Sequence, residues 1–316
     1  MYWLNLMRWK NLLVVFLTQL LAWACVIIPL QELTNAHLLL TPINFLFISL
    51  ATVLIAAAGY IINDYFDIKI DIINRPEKVI LEKKIPMKQA IVMHSVLNIT
   101  GLLLALLVAW QAGQWRWVFF QLTCTILLWF YSTHFKRMFM IGNVVVALLT
   151  AFTIIVLLWY EPVLHNYALQ KPILLINGEK IPNPFHVLMI YTFFAFTLTW
   201  MREIVKDMED FKGDAEQGCV TMPIKWGLQR SQWFAQALGI LAIIPLINGA
   251  YKLYTAGWWM LGSYTLLALI APLIYWIYNL KNGATTRHYA QASKNIKIIM
   301  VLGICSLIIY YFEAHV

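Results

Sequence analysis

Long apolar runs constrain this chain more than any other feature of its sequence. Of its residues, 61% are apolar and 12% are charged, which is far from the balance of a soluble globular protein. A helix needs about 20 apolar residues to cross the hydrocarbon core of a bilayer. Runs of about 18 or more such residues lie near 11–30, 40–62, 89–110, 116–133, 138–160, 185–205, 233–250, 257–279 and 296–313. The sequence therefore predicts an all-α integral membrane protein, a nine-transmembrane-helix bundle that forms one membrane-embedded domain over residues 1–316.

The distribution of positive charge predicts how this bundle is oriented. We expect the first run to be a retained helix, because the chain that follows it is apolar throughout. Lysines and arginines concentrate in alternate connections, and the opposite connections contain only Arg116, Lys171, Lys180 and Lys252. By the positive-inside rule, the N-terminus is expected in the cytoplasm and the C-terminus outside. The net charge of +8 is explained by this asymmetry and does not indicate a nucleic-acid partner.

All six aspartates of the chain fall into two sets with the same internal spacing. The first set is Asp64, Asp67 and Asp71, and the second is Asp207, Asp210 and Asp214. On a helix, spacings of three and four residues place each set on one face, within an arc of roughly 60° and over about 10 Å. Each set follows a long apolar run on the side predicted to be cytoplasmic.

Two interpretations of the aspartate sets are open. Each set could be a solvated helix end on the water side of a membrane protein. A carboxylate beside hydrocarbon is costly, however, unless a cation or hydrogen bonds compensate it. Two facing groups of three hard oxygen ligands suit a pair of Mg²⁺ ions bridged by a diphosphate. The repeated spacing favours this second interpretation, with Asp64, Asp67, Asp71, Asp207, Asp210 and Asp214 as metal ligands and catalytic residues.

Further polar residues on the same predicted side are candidates for binding a substrate. They are Arg8, Asn11, Arg75, Lys78, Tyr131, Lys136, Arg202 and Lys206. Arg8 is either an orientation signal or a contact to a polar substrate group, and Asn11 is either a helix-end residue or such a contact. Arg75 and Lys78 are expected to neutralise phosphate, because they are the cations nearest to the first set in its loop.

The remaining candidates also have two interpretations. Tyr131 and Lys136 could offer a hydroxyl and an ammonium to a leaving group, or they could anchor the chain at the headgroup level. Arg202 and Lys206 are four residues apart and share a helix face. They could pair with Glu203, with Asp207 or with a bound phosphate.

The two aspartate motifs resemble those of the UbiA superfamily of intramembrane prenyltransferases. The signature is Asn63-Asp64-Tyr-Phe-Asp67-Ile-Lys-Ile-Asp71 together with Asp207-Met-Glu-Asp210-Phe-Lys-Gly-Asp214, and nine spans is the family's number. Three further segments resemble the digeranylgeranylglyceryl-phosphate synthase branch: Arg202 to Asp207, Gly213 to Pro223, and Tyr131 to Asn143. One departure is the loop after Asn74-Arg75-Pro76, which continues with Glu77-Lys78 where many members have a proline and a glycine.

This resemblance implies a fold, a reaction and its partners. The expected reaction moves an isoprenyl group from its diphosphate to a lipophilic acceptor. Resemblance to the synthase branch implies that this group is geranylgeranyl. The favoured acceptor is geranylgeranylglyceryl phosphate, in ether-lipid synthesis. The implied cofactor is Mg²⁺, as two ions held by the aspartates, with Asn63 also at the site. The implied location is the cytoplasmic membrane of a prokaryote.

Two alternatives to this function stay open from the sequence. An aromatic prenyltransferase, acting on 4-hydroxybenzoate or another quinone, chlorophyll or haem precursor, would share every metal-site residue. A transporter of divalent cations or polyprenyl phosphate would use the aspartates as a binding ring. Transporters commonly place their site near the membrane midplane in broken helices, whereas both aspartate sets here are expected at one membrane face.

Overall fold

The computed structural model describes residues 1–74, 76–171, 173–176, 179–281 and 285–315, some of them, including Lys78, by backbone alone. The chain is helical in almost all of this part. The helices of the N-terminal half are α1 Tyr2–Leu6, α2 Trp9–Ala22, α3 Ile28–Thr34, α4 Pro42–Asn74, α5 Met87–Gln111, α6 Phe119–Thr133, α7 Ile141–Trp159 and α8 Pro162–His165. The helices of the C-terminal half are α9 Pro184–Glu209, α10 Phe211–Glu216, α11 Met222–Trp226, α12 Leu228–Thr255, α13 Trp259–Tyr264, α14 Ala271–Lys281 and α15 Thr286–His315.

Shorter elements connect these helices. Turns of π-helix at Trp23–Ile27 and Thr265–Ile270 join α2 to α3 and α13 to α14, so that each pair runs as one long helix. Single 3₁₀ turns lie at Pro76–Lys78, Trp115–Val118 and Phe135–Arg137. Strands β1 Ile173–Ile176 and β2 Glu179–Pro182 pair antiparallel between α8 and α9.

All nine predicted spans are helical, and the all-α membrane fold is confirmed. Eight helical segments of the described chain are long and apolar enough to cross a bilayer. The ninth predicted span, residues 116–133, is the 3₁₀ turn at Trp115–Val118 followed by α6. Helix α6 has 15 residues and is about 22 Å long, whereas the hydrocarbon core is about 30 Å thick. This span therefore needs its 3₁₀ turn to match the others.

Two helices organise the bundle. Helix α4 packs against α2, α5 and α6, and helix α9 packs against α7, α12 and α15. Small residues allow close approach along α4, as in many membrane bundles. A Cβ atom added to Gly101 of α5 would lie 3.1 Å from the carbonyl oxygen of Ala51 and 2.9 Å from Ile55 Cγ1. The aspartate sets lie at and just beyond the C-terminal ends of these two central helices.

A buried polar contact ties the N-terminal helices together. Gln19 of α2 is fully buried, and its Nε2 donates to Thr52 Oγ1 of α4 at 3.2 Å and to the Thr153 carbonyl of α7 at 2.8 Å. Its Oε1 accepts a hydrogen bond from Ser49 Oγ at 2.8 Å. The amide is satisfied on both sides, so it fixes the relative position of α2, α4 and α7.

Candidate active site

Asp64, the first residue of the first aspartate set, forms an ion pair with a residue that is far from it in the sequence. Arg8 Nη2 donates to Asp64 Oδ1 at 2.7 Å, and the guanidinium lies 5.0 Å from the centroid of the Tyr60 ring. Arg8 precedes α2 with a φ of 54°, a backbone region that is uncommon for a residue other than glycine. Arg8 is therefore more than an orientation signal, because it contacts the aspartate motif directly.

Asp67 is held by two donors. Lys136 Nζ pairs with Asp67 Oδ1 at 2.5 Å, and Asn63 Nδ2 donates to Asp67 Oδ2 at 2.8 Å. Lys136 belongs to the 3₁₀ turn between α6 and α7, and its side chain is 9% exposed. Lys136 thus contacts the aspartate set directly, and its predicted contact with a leaving group stays a prediction.

The turn that carries Lys136 rests on a glycine at the start of α7. A Cβ atom added to Gly142 would lie 2.7 Å from Lys136 Cα and 2.9 Å from the Phe135 carbonyl oxygen. Real Cβ atoms are essentially never this close to backbone atoms. The absence of a side chain at position 142 therefore sets the position from which Lys136 reaches Asp67.

The second set lies at the end of α9 and on α10. Asp207 accepts a hydrogen bond from Asn143 Nδ2 at 2.8 Å. The N–H of Asp210 donates to the Lys206 carbonyl at 2.8 Å, and the N–H of Asp214 donates to the Asp210 carbonyl at 3.1 Å. Asp214 is buried, at 9% exposure. Asp207 thus lies on the last turns of α9, Asp210 lies between the two helices, and Asp214 lies on α10.

The two sets meet at one end of the bundle. Helix α10 packs against α4, which places Asp214 near Asp67. The pKa of the Asp214 carboxyl is raised to about 7, chiefly by burial and then by the negative charges of Asp210 and Asp67, while Lys136 acts in the opposite direction. The start of α7 also joins the sets, because Asn143 binds Asp207 while Gly142 supports the turn of Lys136.

The donors present suit a hard divalent cation. Carboxylate and amide oxygens are the ligands that Mg²⁺ prefers, and Asn63 Oδ1 is buried with no hydrogen-bond partner. In the part of the chain that the structure describes, no three acidic, histidine or cysteine side chains form a ready-made metal cluster. The oxygens of Asp64, Asp67 and Asp207 are instead engaged by Arg8, Lys136, Asn63 and Asn143.

Two further predicted cations share one carboxylate beside the second set. Arg202 Nη1 and Lys206 Nζ both pair with Glu203, at 2.8 and 2.9 Å. Asp207 and Glu203 are close enough to Tyr131 to interact with it electrostatically. Arg75 lies outside the described residues, as does the side chain of Lys78, so their predicted contact with phosphate stays a prediction.

Comparison with known proteins decides the family. The family model for UbiA prenyltransferases matches residues 23–300, which is most of the chain. This chain belongs to the UbiA prenyltransferase family. The resemblance of the two aspartate motifs to that family is therefore confirmed, and the chain is a prenyltransferase.

This UbiA prenyltransferase is similar to relatives and to solved structures over most of its length. A digeranylgeranylglyceryl phosphate synthase from Methanosphaera stadtmanae is 29% identical over 262 residues, 82% of this chain and 84% of the relative. A solved structure of digeranylgeranylglyceryl phosphate synthase superposes with a TM-score of 0.65 at 23% identity, over 99% of this chain and 97% of that one. A UbiA homologue from Archaeoglobus fulgidus bound to DMAPP and Mg²⁺ superposes with a TM-score of 0.60 at 14% identity, over 97% and 99% of the two chains.

Two contacts of this prenyltransferase were not predicted from its sequence. Asn143 binds Asp207, and Lys297 Nζ donates to Asn11 Oδ1 at 2.5 Å. The predicted contact of Asn11 with a substrate group stays a prediction. A signal for Lys297 existed, because it lies inside the ninth apolar run, where an ionisable residue is unusual and commonly functional.

Proposed function

We propose that this UbiA prenyltransferase transfers a geranylgeranyl group from its diphosphate to geranylgeranylglyceryl phosphate, with Mg²⁺ as cofactor, in ether-lipid synthesis. The observation that carries the proposal is the meeting of two aspartate sets at one end of the bundle, beside Arg8, Lys136, Arg202 and Lys206. The choice of acceptor is supported by relatives named digeranylgeranylglyceryl phosphate synthase, which match this chain over most of their length. The use of Mg²⁺ is supported by the homologue bound to DMAPP and Mg²⁺.

The metal ions would be held by the six aspartates, with the unpartnered Asn63 Oδ1 available as a further oxygen. Bound there, they would neutralise the negative charge that develops on the departing diphosphate. Asp64, Asp67 and Asp207 would exchange part of their present contacts with Arg8, Lys136 and Asn143 for contacts to the cations. The pKa of about 7 at Asp214 is consistent with a carboxyl that ionises fully only beside a cation.

The chain's own cations have a second role in the proposed reaction. Breakage of the bond between C1 of the donor and its oxygen leaves diphosphate, and Lys136 and Arg8 lie where they can stabilise that charge. Arg75 and Lys78 are proposed to do the same from the following loop. The free glycerol hydroxyl of the acceptor forms the new bond to C1 and loses its proton, so the products are an ether, diphosphate and a proton. Tyr131, close enough to Asp207 and Glu203 to interact with them electrostatically, is proposed to contact the diphosphate oxygens.

The membrane topology of the enzyme is part of the same proposal. The charge asymmetry of the connections supports a cytoplasmic N-terminus and active site and an external C-terminus, in the cytoplasmic membrane of a prokaryote. A cytoplasmic site would give the enzyme access to water-soluble Mg²⁺ and to a soluble donor.

An acceptor panel tests the proposal. Purified protein is supplied with labelled geranylgeranyl diphosphate, Mg²⁺ and either geranylgeranylglyceryl phosphate or 4-hydroxybenzoate. We expect label to enter the glycerol lipid and not the aromatic ring. Product from 4-hydroxybenzoate, with none from the glycerol lipid, would replace the proposal with aromatic prenylation.

A further inference from the structure

A second cationic group lies next to the aspartate site, and its central lysine binds a side-chain amide. Lys297 of α15 reaches across to α2, where its Nζ donates to Asn11 Oδ1 at 2.5 Å. Helix α15 packs against both α9 and α2, and Arg202 of α9 and Lys10 of α2 lie close enough to Lys297 to repel it electrostatically. Lys10, Arg202 and Lys297, together with Asn11, are called the α2–α9–α15 cation group below. Three helices that are far apart in the sequence contribute to it.

The charge of this group is poorly neutralised by the protein. Within the described part of the chain, Lys297 makes no ion pair with a carboxylate. Arg202 has Glu203 as a partner through Nη1 only, and Glu203 is shared with Lys206. Like charges brought together in a partly buried site cost free energy unless an anion compensates them. The arrangement therefore indicates a binding place for an anion.

The location of the group distinguishes this anion from the donor diphosphate. Arg202 and Lys206 are separated by one turn of α9, about 5.4 Å along the axis, and Lys206 precedes Asp207. The donor diphosphate is proposed to lie among the aspartates. The cation group therefore lies about one turn of α9 away from it. A glycerol phosphate carries its phosphate and its reacting hydroxyl within one glycerol unit, which matches two neighbouring sites of this kind.

We propose that the α2–α9–α15 cation group binds the phosphate monoester of the acceptor. This inference rests on the proposed function and deepens it. It gives the chain a site that recognises the phosphate of the acceptor, whereas the proposed function takes the acceptor from the names of relatives. Lys297 and Arg202 contact phosphate oxygens, Lys10 contributes charge from the exposed side, and Asn11 holds the Lys297 ammonium in place. A phosphate that binds here leaves the glycerol hydroxyl facing the aspartate site.

The test compares two acceptors that differ in the phosphate alone. Lys297→Gln removes the central charge, and Lys294→Gln, an exposed lysine on the same helix, is the matched control. Steady-state transfer is measured with geranylgeranylglyceryl phosphate and with geranylgeranylglycerol. A charge-assisted hydrogen bond typically corresponds to about tenfold or more in affinity. We expect Lys297→Gln to raise KM for the phosphorylated acceptor at least about tenfold, with the KM of the donor and the rate with the unphosphorylated acceptor within about twofold of wild type.

Two results would overturn the inference. One is a Lys297→Gln enzyme whose KM for the phosphorylated acceptor is unchanged. The other is an equal loss with both acceptors, which would indicate a general structural defect. If Lys297→Gln fails to fold, Lys10→Gln at an exposed position gives the same test: a rise in KM confined to the phosphorylated acceptor supports the inference, and no rise contradicts it.

Failure of the proposed function would be recognised separately. It requires that the wild-type enzyme transfer no group to either glycerol lipid while it prenylates another acceptor. In that case the inference falls with it. An active wild type together with an unaffected Lys297→Gln enzyme refutes the phosphate site alone.

Discussion

At the scale of single residues, the carboxylates of this site are engaged by the chain's own donors. Arg8 pairs with Asp64 and Lys136 pairs with Asp67, while Asn143 donates to Asp207. These contacts lower the cost of placing acidic groups beside apolar helices. In the proposed reaction, Arg8 and Lys136 would then stabilise the negative charge that develops on the departing diphosphate.

Removal of the Lys136 ammonium is predicted to damage the donor step. Lys136→Gln leaves Asp67 without its charged partner and leaves the diphosphate without one of its cations. We expect kcat/KM for the donor to fall by about 100-fold, which corresponds to about 2.7 kcal/mol of lost stabilisation. Kinetics with varied donor concentration measure this. Arg137→Gln, on the exposed neighbour, is the control and should stay within about threefold, whereas equal behaviour of the two variants would argue against a role for Lys136.

At the scale of elements, the start of α7 contacts residues of both halves of the site. It supports the Lys136 turn through Gly142 and binds Asp207 through Asn143. The site is therefore sensitive to changes in packing that touch none of the aspartates.

Gly142→Ala is predicted to displace the Lys136 turn. The new Cβ would lie 2.7 Å from Lys136 Cα, so the backbone must move, and overpacking of this kind costs about 1–3 kcal/mol. We expect a lower thermal unfolding midpoint in detergent and a loss of at least about tenfold in kcat. Gly249→Ala in α12 is the matched control, because a Cβ there meets nothing within 4 Å. A Gly142→Ala enzyme as stable and active as Gly249→Ala would contradict the close contact.

Gln19→Leu is predicted to weaken the packing of α2 against α4 and α7. The substitution removes both donor contacts of the amide and leaves Ser49 Oγ without its acceptor. Hydrogen bonds between membrane helices contribute about 0.6–2 kcal/mol, so we expect a loss of stability of that size with the active site intact. Unfolding in detergent measures it, beside Gln111→Leu at an exposed helix end. No difference between the two variants would show that the buried amide is dispensable.

At the scale of the whole molecule, much of the architecture follows from the sequence. The nine apolar runs predict the helices, and the position of each aspartate set after an even-numbered run predicts that the sets share one end of the bundle. The contacts of Lys136 and Lys297 are harder to predict, because each joins residues that are far apart in the chain. Gly142 lies in a segment that carries the family resemblance, but the sequence does not indicate its role, since that role depends on a backbone contact that exists only in the folded protein. The short α6 also differs from expectation, because its 3₁₀ turn cannot be recognised from apolar composition.

The two sets belong to one site in this account, and a comparison of Asp67→Ala with Asp210→Ala tests that claim most directly. The measurement is Mg²⁺-dependent release of diphosphate from geranylgeranyl diphosphate in the presence of the acceptor, with purified wild type and both variants in detergent. Because each set is proposed to hold metal for the same diphosphate, we expect each substitution alone to reduce turnover by about 100-fold or more. Undiminished turnover in both variants would contradict the account.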